Sequence, residues 1–336
     1  MKLSRRTLLA GTTIGVAAPA ILHWPANAAE FTYKCGGSLP DGHPMAIRAR
    51  EAMQLIKEES GGRLEITLYT NSVLGGDTAM ISQTIAGALE MYTLPLDLLA
   101  SKNPACGIFG VGYAFLDYDH IWGAIDGELG NHLRGLAEQI GFHVVHNCYD
   151  HGFREITTRT KPIEKPEDLK GFKIRVPVTA LLTSLFSGLG ALPSSISYSE
   201  LYSALQTHIV EGQENPLAQV STGKLYEVQK YCALSNHCWS GYWIIGNRRA
   251  LSSLPADLVD IVNESFDAAA VKERADLLEM DKSLQAELTS QGMVFSKPDP
   301  VQFRSALVKA GFYSQWQKTY GAEAWDKLEH YTGKLT

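Results

Sequence analysis

Hydrophobic positions recur with two different periods along the chain, and the two periods predict helices and strands in turn. In the segment 44–59 the apolar residues lie three or four positions apart, which is typical of an amphipathic helix, and Gly61 and Gly62 would end it. In 63–70 apolar and polar residues alternate at every second position, which predicts a half-buried strand. The segment 31–37 predicts another strand, which would precede the helix.

The same alternation of elements continues through the next part of the chain. A helix is predicted over 78–86, with Asp77 placed to cap its first turn, and strands are predicted over 88–96 and 142–149. Because strands alternate with helices, we expect an α/β fold built on a largely parallel sheet that helices cover.

The segment 168–177, with the sequence DLKGFKIRVP, predicts a strand that carries charges on one side. Three apolar residues alternate with Lys173 and Arg175, and Pro177 ends the run. The pattern by itself predicts that both charged side chains lie on a solvent-exposed face, because most charged residues are solvated.

Three later segments predict further elements. The order Ser-Tyr-Ser-Glu at 197–200 has the form of a capping box at the start of a helix, and 239–247 predicts a buried strand. From 255 to 291 apolar residues recur at helical intervals, and no glycine or proline follows Pro255. A single helix there would be about 55 Å long, enough to brace two lobes. Two helices with a break between them are the alternative.

The first 28 residues have the features of an export signal. Arg5 and Arg6 stand before a modest apolar stretch, and the small residues 26–28 follow it. This order predicts that 1–28 is a twin-arginine signal peptide and that the protein works in the periplasm. The alternative is a cytoplasmic N-terminal helix.

Composition narrows the range of partners. The net charge is −6 over 336 residues, which argues against binding to nucleic acid or to a generic anionic membrane surface. A small anionic ligand remains compatible with this charge, because the local field of a cleft can oppose the net charge. Past the signal, no apolar segment of the sequence is long enough to cross a bilayer.

The five cysteines predict neither a metal site nor a disulfide. No CxxC motif occurs, and Cys232 and Cys238 lie six positions apart in a segment that is predicted to be extended. At about 3.3 Å per residue these two would be roughly 20 Å apart, beyond disulfide reach. We expect five buried thiols. The sequence also contains no nucleotide-binding, metalloprotease or serine-hydrolase motif, so no cofactor, metal or catalytic residue is predicted.

Three segments carry a family resemblance: GFREITT at 152–158, PEDLKGFKIRVP at 166–177, and LGALPSSISYSELYSALQTHIVEGQENP at 189–216. With these blocks in this order, the chain resembles the extracytoplasmic solute receptors of tripartite ATP-independent periplasmic (TRAP) transporters. The resemblance implies a two-lobed periplasmic binding protein fold with a cleft, hinge strands and a long helix spanning both lobes. It also implies a small-molecule carboxylate ligand and a partnership with the membrane subunits of a TRAP transporter.

The resemblance also implies a division of the chain into lobes. Lobe I would comprise 30–151 plus 241–275, and lobe II would comprise 152–240 plus 276–310. The remaining residues, 311–336, would form C-terminal helices.

The resemblance implies a role for each of several residues in the cleft. Arg175 would hold the ligand carboxylate, because a guanidinium matches a carboxylate with two parallel hydrogen bonds and stays charged. Arg154 matches an arginine that reaches the same ligand, with a salt bridge to an acid such as Glu155 as the alternative. Asn215 matches an asparagine that hydrogen-bonds the ligand, and the alternative is a turn residue before Pro216.

Three further residues complete the expected site. Tyr198 matches an aromatic residue that covers the ligand, unless it only packs at a helix start. Asp77 matches an acid that can reach ligand hydroxyls, unless it is only a helix cap. Trp239 lies on an expected hinge strand, where clefts open. Other polar residues are expected near the same strand ends: His43, Asp150, His237 and Tyr242. A polar pocket of this kind favours a hydroxylated sugar acid, whereas a pocket dominated by Tyr198, Tyr242 and Trp239 would favour an aromatic or α-keto acid.

The expected function is therefore capture of an organic acid for a TRAP transporter. A secreted enzyme acting on a small carboxylic acid is the first alternative, which the missing cofactor motifs disfavour. A receptor that reports its ligand to a signalling protein is the second alternative.

Overall fold

The computed structural model describes residues 29–335. The predicted export signal over 1–28 lies outside the described residues. Among the helices within 29–335, none combines the length and the apolar character that crossing a membrane requires.

The elements alternate along the chain much as the sequence predicts. The helices are α1 Pro44–Glu59, α2 Asp77–Ala86, α3 Tyr118–Ile125, α4 Glu128–Ile140, α5 Ala180–Gly188, α6 Tyr198–Gln206, α7 Leu217–Thr222, α8 Arg248–Ser252, α9 Ala256–Ser290, α10 Pro300–Lys309, α11 Phe312–Tyr320 and α12 Ala322–Thr332. The strands are β1 Phe31–Gly37, β2 Leu64–Tyr69, β3 Met91–Pro95, β4 Phe142–Val144, β5 Tyr149–Thr158, β6 Lys173–Val176, β7 Leu192–Ser195, β8 Gly212–Asn215, β9 Tyr231–Asn247 and β10 Val294–Ser296.

The sheet is mixed, with the order β2-β1-β3-β9-β5-β8-β6-β7 and with β4 and β10 paired to β9. Each outer group is parallel as predicted, since β1 runs parallel to β2 and β3, and β6 runs parallel to β7 and β8. The centre is antiparallel, because β9 opposes β3, β4 and β5, and β5 opposes β8. The prediction of a largely parallel sheet is therefore wrong for the two long strands that join the outer groups.

One predicted strand is in fact two. The segment 142–149 was expected to be continuous, but β4 ends at Val144 and β5 begins at Tyr149. The backbone N–H of Asn147 donates to Oδ1 of Asp267 on α9 at 2.6 Å, so this part of the backbone bonds to a helix instead of a strand. A long-range hydrogen bond therefore interrupts a segment that the local sequence pattern predicts to be one strand.

Helix α9 is continuous over 35 residues, about 52 Å at 1.5 Å per residue. The alternative of two helices is therefore wrong. Its first half packs through Leu258 and Phe266 in a core that also contains Met45 of α1. Its second half packs through Leu277 and Leu284 in a separate core next to α7. The helix thus packs on α1 with its first half and on α7 with its second half.

Two predicted helix caps are not formed. Asp77 is the first residue of α2 and Gly76 holds the cap position, so the cap role for Asp77 is wrong. At α6, the Ser197 hydroxyl accepts a hydrogen bond from Ser199 Oγ at 3.1 Å instead of from the backbone, so the capping box is wrong. The acids of the two motifs, Asp77 and Glu200, are therefore available for other contacts.

The five cysteines are buried free thiols, as predicted. Burial raises the pKa of each; that of Cys106, for example, rises to about 12. The C-terminal helices α10 to α12 pack on α5 and on the 3-10 turn Pro104–Gly110, in the core that contains Phe303, Trp316 and Trp325.

Candidate ligand-binding site

A buried ion pair lies at the centre of the sheet. Nε of Arg154 on β5 is 2.5 Å from Oε2 of Glu214 on β8, and its NH2 donates to Oε1 at 2.8 Å. The two side chains are 5% and 0% exposed. Although burial raises the pKa of Glu214, the charge of Arg154 lowers it to about 2. The alternative for Arg154, a salt bridge to an acid, is therefore formed, but the acid is Glu214 and not Glu155, which accepts instead from the backbone N–H of Asn236.

Asn215 belongs to the same network. Its Oδ1 accepts from NH2 of Arg154 at 3.0 Å, and its Nδ2 donates to Oε1 of Gln213 at 2.5 Å. Gln213 in turn donates to Thr157 Oγ1 at 2.8 Å. Asn215 ends β8 and is 2% exposed, so its side chain does more than end a strand before Pro216.

Arg175 is also buried, but it forms no ion pair with any acidic side chain of residues 29–335. It lies on β6, is 2% exposed, and donates from Nε to the carbonyl of Ile196 at 2.8 Å. Within residues 29–335, its two terminal nitrogens form neither a hydrogen bond nor an ion pair. Burial lowers its pKa to about 10. The prediction of a solvent-exposed strand face is therefore right for Lys173, which is exposed, and wrong for Arg175.

The two outer groups of the sheet touch each other beside Arg175. A Cβ on Gly76, before α2, would lie 2.8 Å from Ser197 Oγ, before α6. Next to this contact, Asp77 is 8% exposed and accepts a hydrogen bond from the Tyr92 hydroxyl at 2.6 Å. The negative charge of Asp77 is one of the nearby charges that act on Arg175.

A chain of hydrogen bonds connects Gln219 on α7 to the buried ion pair. Tyr198, the first residue of α6, lies close to Gln219. Oε1 of Gln219 is 2.5 Å from Nε2 of His151, whose Nδ1 is 2.7 Å from Ser240 Oγ. Ser240 accepts from NH1 of Arg154 at 3.4 Å. Burial lowers the pKa of His151, so this ring is neutral.

An open groove of about 390 Å³ runs beside Tyr198. Both outer groups of the sheet contribute to its walls, with Ser38 and Asn71 on one side and Tyr198 and Lys224 on the other. The groove therefore marks a path from solvent to the junction of the two groups.

Trp239 lies apart from this polar cluster. Its indole N–H donates to Oδ1 of Asp150 at 2.9 Å, and its ring packs edge-on against Trp122 and near Phe109. Burial raises the pKa of Asp150 to about 7. Trp239 and Arg154 line one small cavity, but the contacts of the indole are with the aromatic cluster and not with the group around Arg175.

One group of side chains has the donor atoms for a metal ion. The ligand atoms of Glu214, His237 and Cys238 lie within 4.8 Å of one another. The guanidinium of Arg154 already pairs with the carboxylate of Glu214, which a metal ion would need as a ligand. Nε2 of His237 is 2.9 Å from the same carboxylate. Burial raises the pKa of the Cys238 thiol and keeps it protonated. The group therefore fits an ion-pair network better than a metal.

The site contains residues that the sequence did not single out. Glu214, His151, Gln219 and Ser240 form the network that holds Arg154, yet they come from three different strands and a helix. The second acid of the EGQENP block, Glu214, could have been found from the sequence, because a buried arginine on a neighbouring strand needs an acidic partner. His43, which was expected near the cleft, is fully buried beside His151.

Comparisons with known proteins agree with this geometry. A family model described as bacterial extracellular solute-binding protein, family 7, matches residues 35–317. The C4-dicarboxylate-binding periplasmic protein DctP of Rhodobacter capsulatus is 32% identical over 76% of each chain. Another relative is a longer protein, of which this chain covers 50%.

Two solved TRAP solute-binding proteins share the fold. One from Sulfurospirillum deleyianum, with bound succinate, is 30% identical, has a TM-score of 0.84, and aligns over 90% of this chain and 99% of its own. One from Roseobacter denitrificans, with bound L-galactonate, is 26% identical, has a TM-score of 0.84, and aligns over 91% and 99%. The two-lobed fold with a long helix across both lobes is thereby confirmed, as is the family resemblance. The chain belongs to family 7 of the bacterial extracellular solute-binding proteins, which are transport receptors and not enzymes.

Proposed function

We propose that this protein captures an organic acid between its two lobes and delivers it to the membrane subunits of a TRAP transporter. The observation that carries the proposal is Arg175, a buried guanidinium without a counterion. An isolated buried charge is costly, and a ligand carboxylate would remove that cost while forming two charge-assisted hydrogen bonds. The relatives point the same way, since one is named for C4-dicarboxylates and the solved structures hold succinate or L-galactonate.

The sheet and the long helix support a division of the chain into two lobes. We assign 30–151 plus 241–275 to lobe I and 152–240 plus 276–310 to lobe II, with 311–336 as C-terminal helices. In this division β5 and β9 run from one lobe to the other and act as the hinge, and α9 braces both lobes. A ligand that contacts both lobes would favour the closed arrangement.

The charges around the cleft favour a ligand with one carboxylate. Arg154 is neutralised by Glu214, which leaves Arg175 as the unpaired buried cation of the cluster described above. Asp77 adds a buried negative charge close by, which would repel a second carboxylate and accept a hydrogen bond from a hydroxyl. A monocarboxylic sugar acid, such as an aldonate or a uronate, fits this arrangement better than a dicarboxylate.

Each expected site residue then has a proposed role. Arg175 pairs with the carboxylate, Asp77 accepts from a hydroxyl, and Tyr198 covers the ligand next to the open groove. Arg154 and Asn215 fix the polar floor of the cleft. We propose a supporting role for Trp239, because its N–H is bonded to Asp150.

The place of action is part of the same proposal. Family members act outside the cytoplasm, and the Arg5-Arg6 order supports export of this chain by the twin-arginine route. Replacement of the twin arginines by lysines (Arg5→Lys with Arg6→Lys) should retain the protein in the cytoplasm, which fractionation of cells would reveal.

A thermal-shift series on the chain from residue 29 tests the ligand. The acids are succinate, D-erythronate, L-galactonate and β-D-glucuronate, at equal concentrations. A bound acid raises stability by RT ln(1 + [L]/Kd), about 2.7 kcal/mol at one hundred times Kd. We expect larger shifts with the hydroxylated monocarboxylates than with succinate. The reverse order would refute the assignment of ligand class.

A transport assay separates the receptor from the signalling alternative. Cells that lack this protein should take up the radiolabelled acid at a much lower rate than the parent cells. Cells that express Arg175→Met in its place should behave like the deletion. Normal uptake without the protein would contradict the transport role.

A further inference from the structure

His43 is a buried polar residue that the binding network leaves with one free nitrogen. It precedes α1 in lobe I, and its ring is 0% exposed. Nδ1 accepts a hydrogen bond from the backbone N–H of Met45 at 3.2 Å, which caps the helix. Nε2 has no hydrogen-bond partner within residues 29–335.

The helix cap determines the tautomer of this ring. A nitrogen that accepts from a backbone N–H carries no proton, so in the neutral imidazole the proton is on Nε2. Burial lowers the pKa of His43 to about 3, which keeps the ring neutral at neutral pH. Nε2 is therefore a hydrogen-bond donor, and an unsatisfied buried donor is rare in a native protein.

The surroundings of His43 are those of the cleft. Its ring centroid is 5.8 Å from that of His151, whose two nitrogens are already bonded to Ser240 and Gln219. Tyr242 packs edge-on against His151 at 4.8 Å. His43 therefore brings a hydrogen-bond donor of lobe I next to the polar cluster of the cleft. His151 cannot accept from this donor, because both of its nitrogens are already bonded.

We propose that His43 is a specificity-determining residue, whose Nε2–H donates to a hydroxyl or carbonyl oxygen of the bound acid. The inference rests on the proposed function and deepens it. Arg175 in lobe II serves the carboxylate, and His43 in lobe I recognises an oxygen elsewhere on the same molecule. The neutral ring adds no charge, so it selects for an oxygen acceptor and not for a second carboxylate.

The geometry also assigns this contact to the closed arrangement. His43 caps α1, which packs on the first half of α9, whereas Arg175 belongs to β6 in the other outer group of the sheet. A ligand bonded to both side chains joins the two lobes. An acid without an oxygen beyond its carboxylate would leave the Nε2 donor of His43 unsatisfied. The cost of an unsatisfied buried donor lowers the affinity for such an analogue, and the site thereby discriminates against it.

The test compares His43→Asn with the parent chain, using L-galactonate and succinate as probes in titration calorimetry. Asparagine is a good helix cap, so the variant keeps an acceptor for Met45, and its shorter amide cannot place a donor where Nε2 of the imidazole lies. We expect the affinity for L-galactonate to fall about tenfold and that for succinate to change less than twofold. His330→Asn, at an exposed histidine on α12, is the matched control and should change neither affinity.

The outcomes separate this inference from the proposed function. Tight binding of L-galactonate by the parent, with an unchanged ratio of the two affinities in His43→Asn, would overturn the role of His43 alone. A parent chain that binds neither acid would overturn the receptor proposal and the role of His43 together. The melting temperature of unliganded His43→Asn checks folding, and we expect it to lie within a few degrees of the parent value.

Discussion

The unpaired burial of Arg175 predicts that its removal abolishes binding and yet stabilises the unliganded protein. The change is Arg175→Met, which keeps a long side chain and removes the charge. Two charge-assisted hydrogen bonds to a carboxylate contribute about 1.5–3 kcal/mol each, so their loss costs about 3–6 kcal/mol. The affinity for L-galactonate should therefore fall at least about a hundredfold.

The gain in stability follows from the cost of burying the charge. Burial lowers the pKa of Arg175 from 12.5 to about 10, a difference of about 2.5 units, and one unit corresponds to about 1.4 kcal/mol. The charged side chain thus destabilises the unliganded structure by about 3 kcal/mol. Loss of the hydrogen bond to Ile196 offsets about 1 kcal/mol of this. A net gain of about 2 kcal/mol remains.

Differential scanning calorimetry without ligand measures the second effect, and titration calorimetry measures the first. The melting temperature of Arg175→Met should rise by a few degrees, because about 1 kcal/mol shifts it by roughly 2–4 °C in a large domain. Arg175→Lys keeps a charge but not the planar fork, so it should bind weakly without the gain in stability. A lower melting temperature for Arg175→Met, together with near-normal affinity, would refute the reasoning.

Three further predictions follow from other contacts. Glu214→Gln leaves Arg154 as an uncompensated buried charge and should lower the free energy of unfolding by about 3–5 kcal/mol in urea denaturation; a loss below 1 kcal/mol would contradict the ion pair. Burial raises the pKa of Asp150 from 3.8 to about 7. Between these two pH values the carboxyl group is therefore protonated in the folded state and ionised in the unfolded chain. Its contribution to stability is therefore complete below about pH 4 and lost as the pH rises through 7. The melting temperature should fall from pH 5 to pH 8, and less steeply in Asp150→Asn; parallel slopes would be evidence against this role. Gly76→Ala places a methyl group 2.8 Å from Ser197 Oγ across the contact between the two lobes and should weaken L-galactonate binding several-fold in calorimetry; an unchanged affinity would contradict a role of this contact in binding.

Local periodicity predicted the elements whose residues depend mainly on their neighbours in sequence. The helix expected over 44–59 and the strand expected over 31–37 have those bounds in the structure. Helix α9 was also expected as one element. The break between β4 and β5 could not be predicted, because it depends on a hydrogen bond from Asn147 to Asp267, 120 positions away.

The site shows the same division between local and distant information. The family motif singled out Arg175, whereas strand alternation by itself predicted that its side chain is exposed to solvent. The side chain is buried, and strand alternation could not predict this because the burial depends on the contact between the two outer groups of the sheet. Arg154 was given Glu155 as a candidate partner because of proximity in sequence. Its actual partner, Glu214, is 60 positions away and comes close only because β5 and β8 are neighbours.

Helix α9 has a mechanical consequence for the empty receptor. The first half of α9 packs against α1 in one core, and Leu277 and Leu284 of its second half pack in another core next to α7. Between the two, Arg48 on α1 bonds Asp276 through two nitrogens, at 2.5 and 2.9 Å. A rod anchored at both ends resists wide separation of the bodies it joins. We expect α9 to limit how far the two lobes can separate, because wide opening would require this helix to bend.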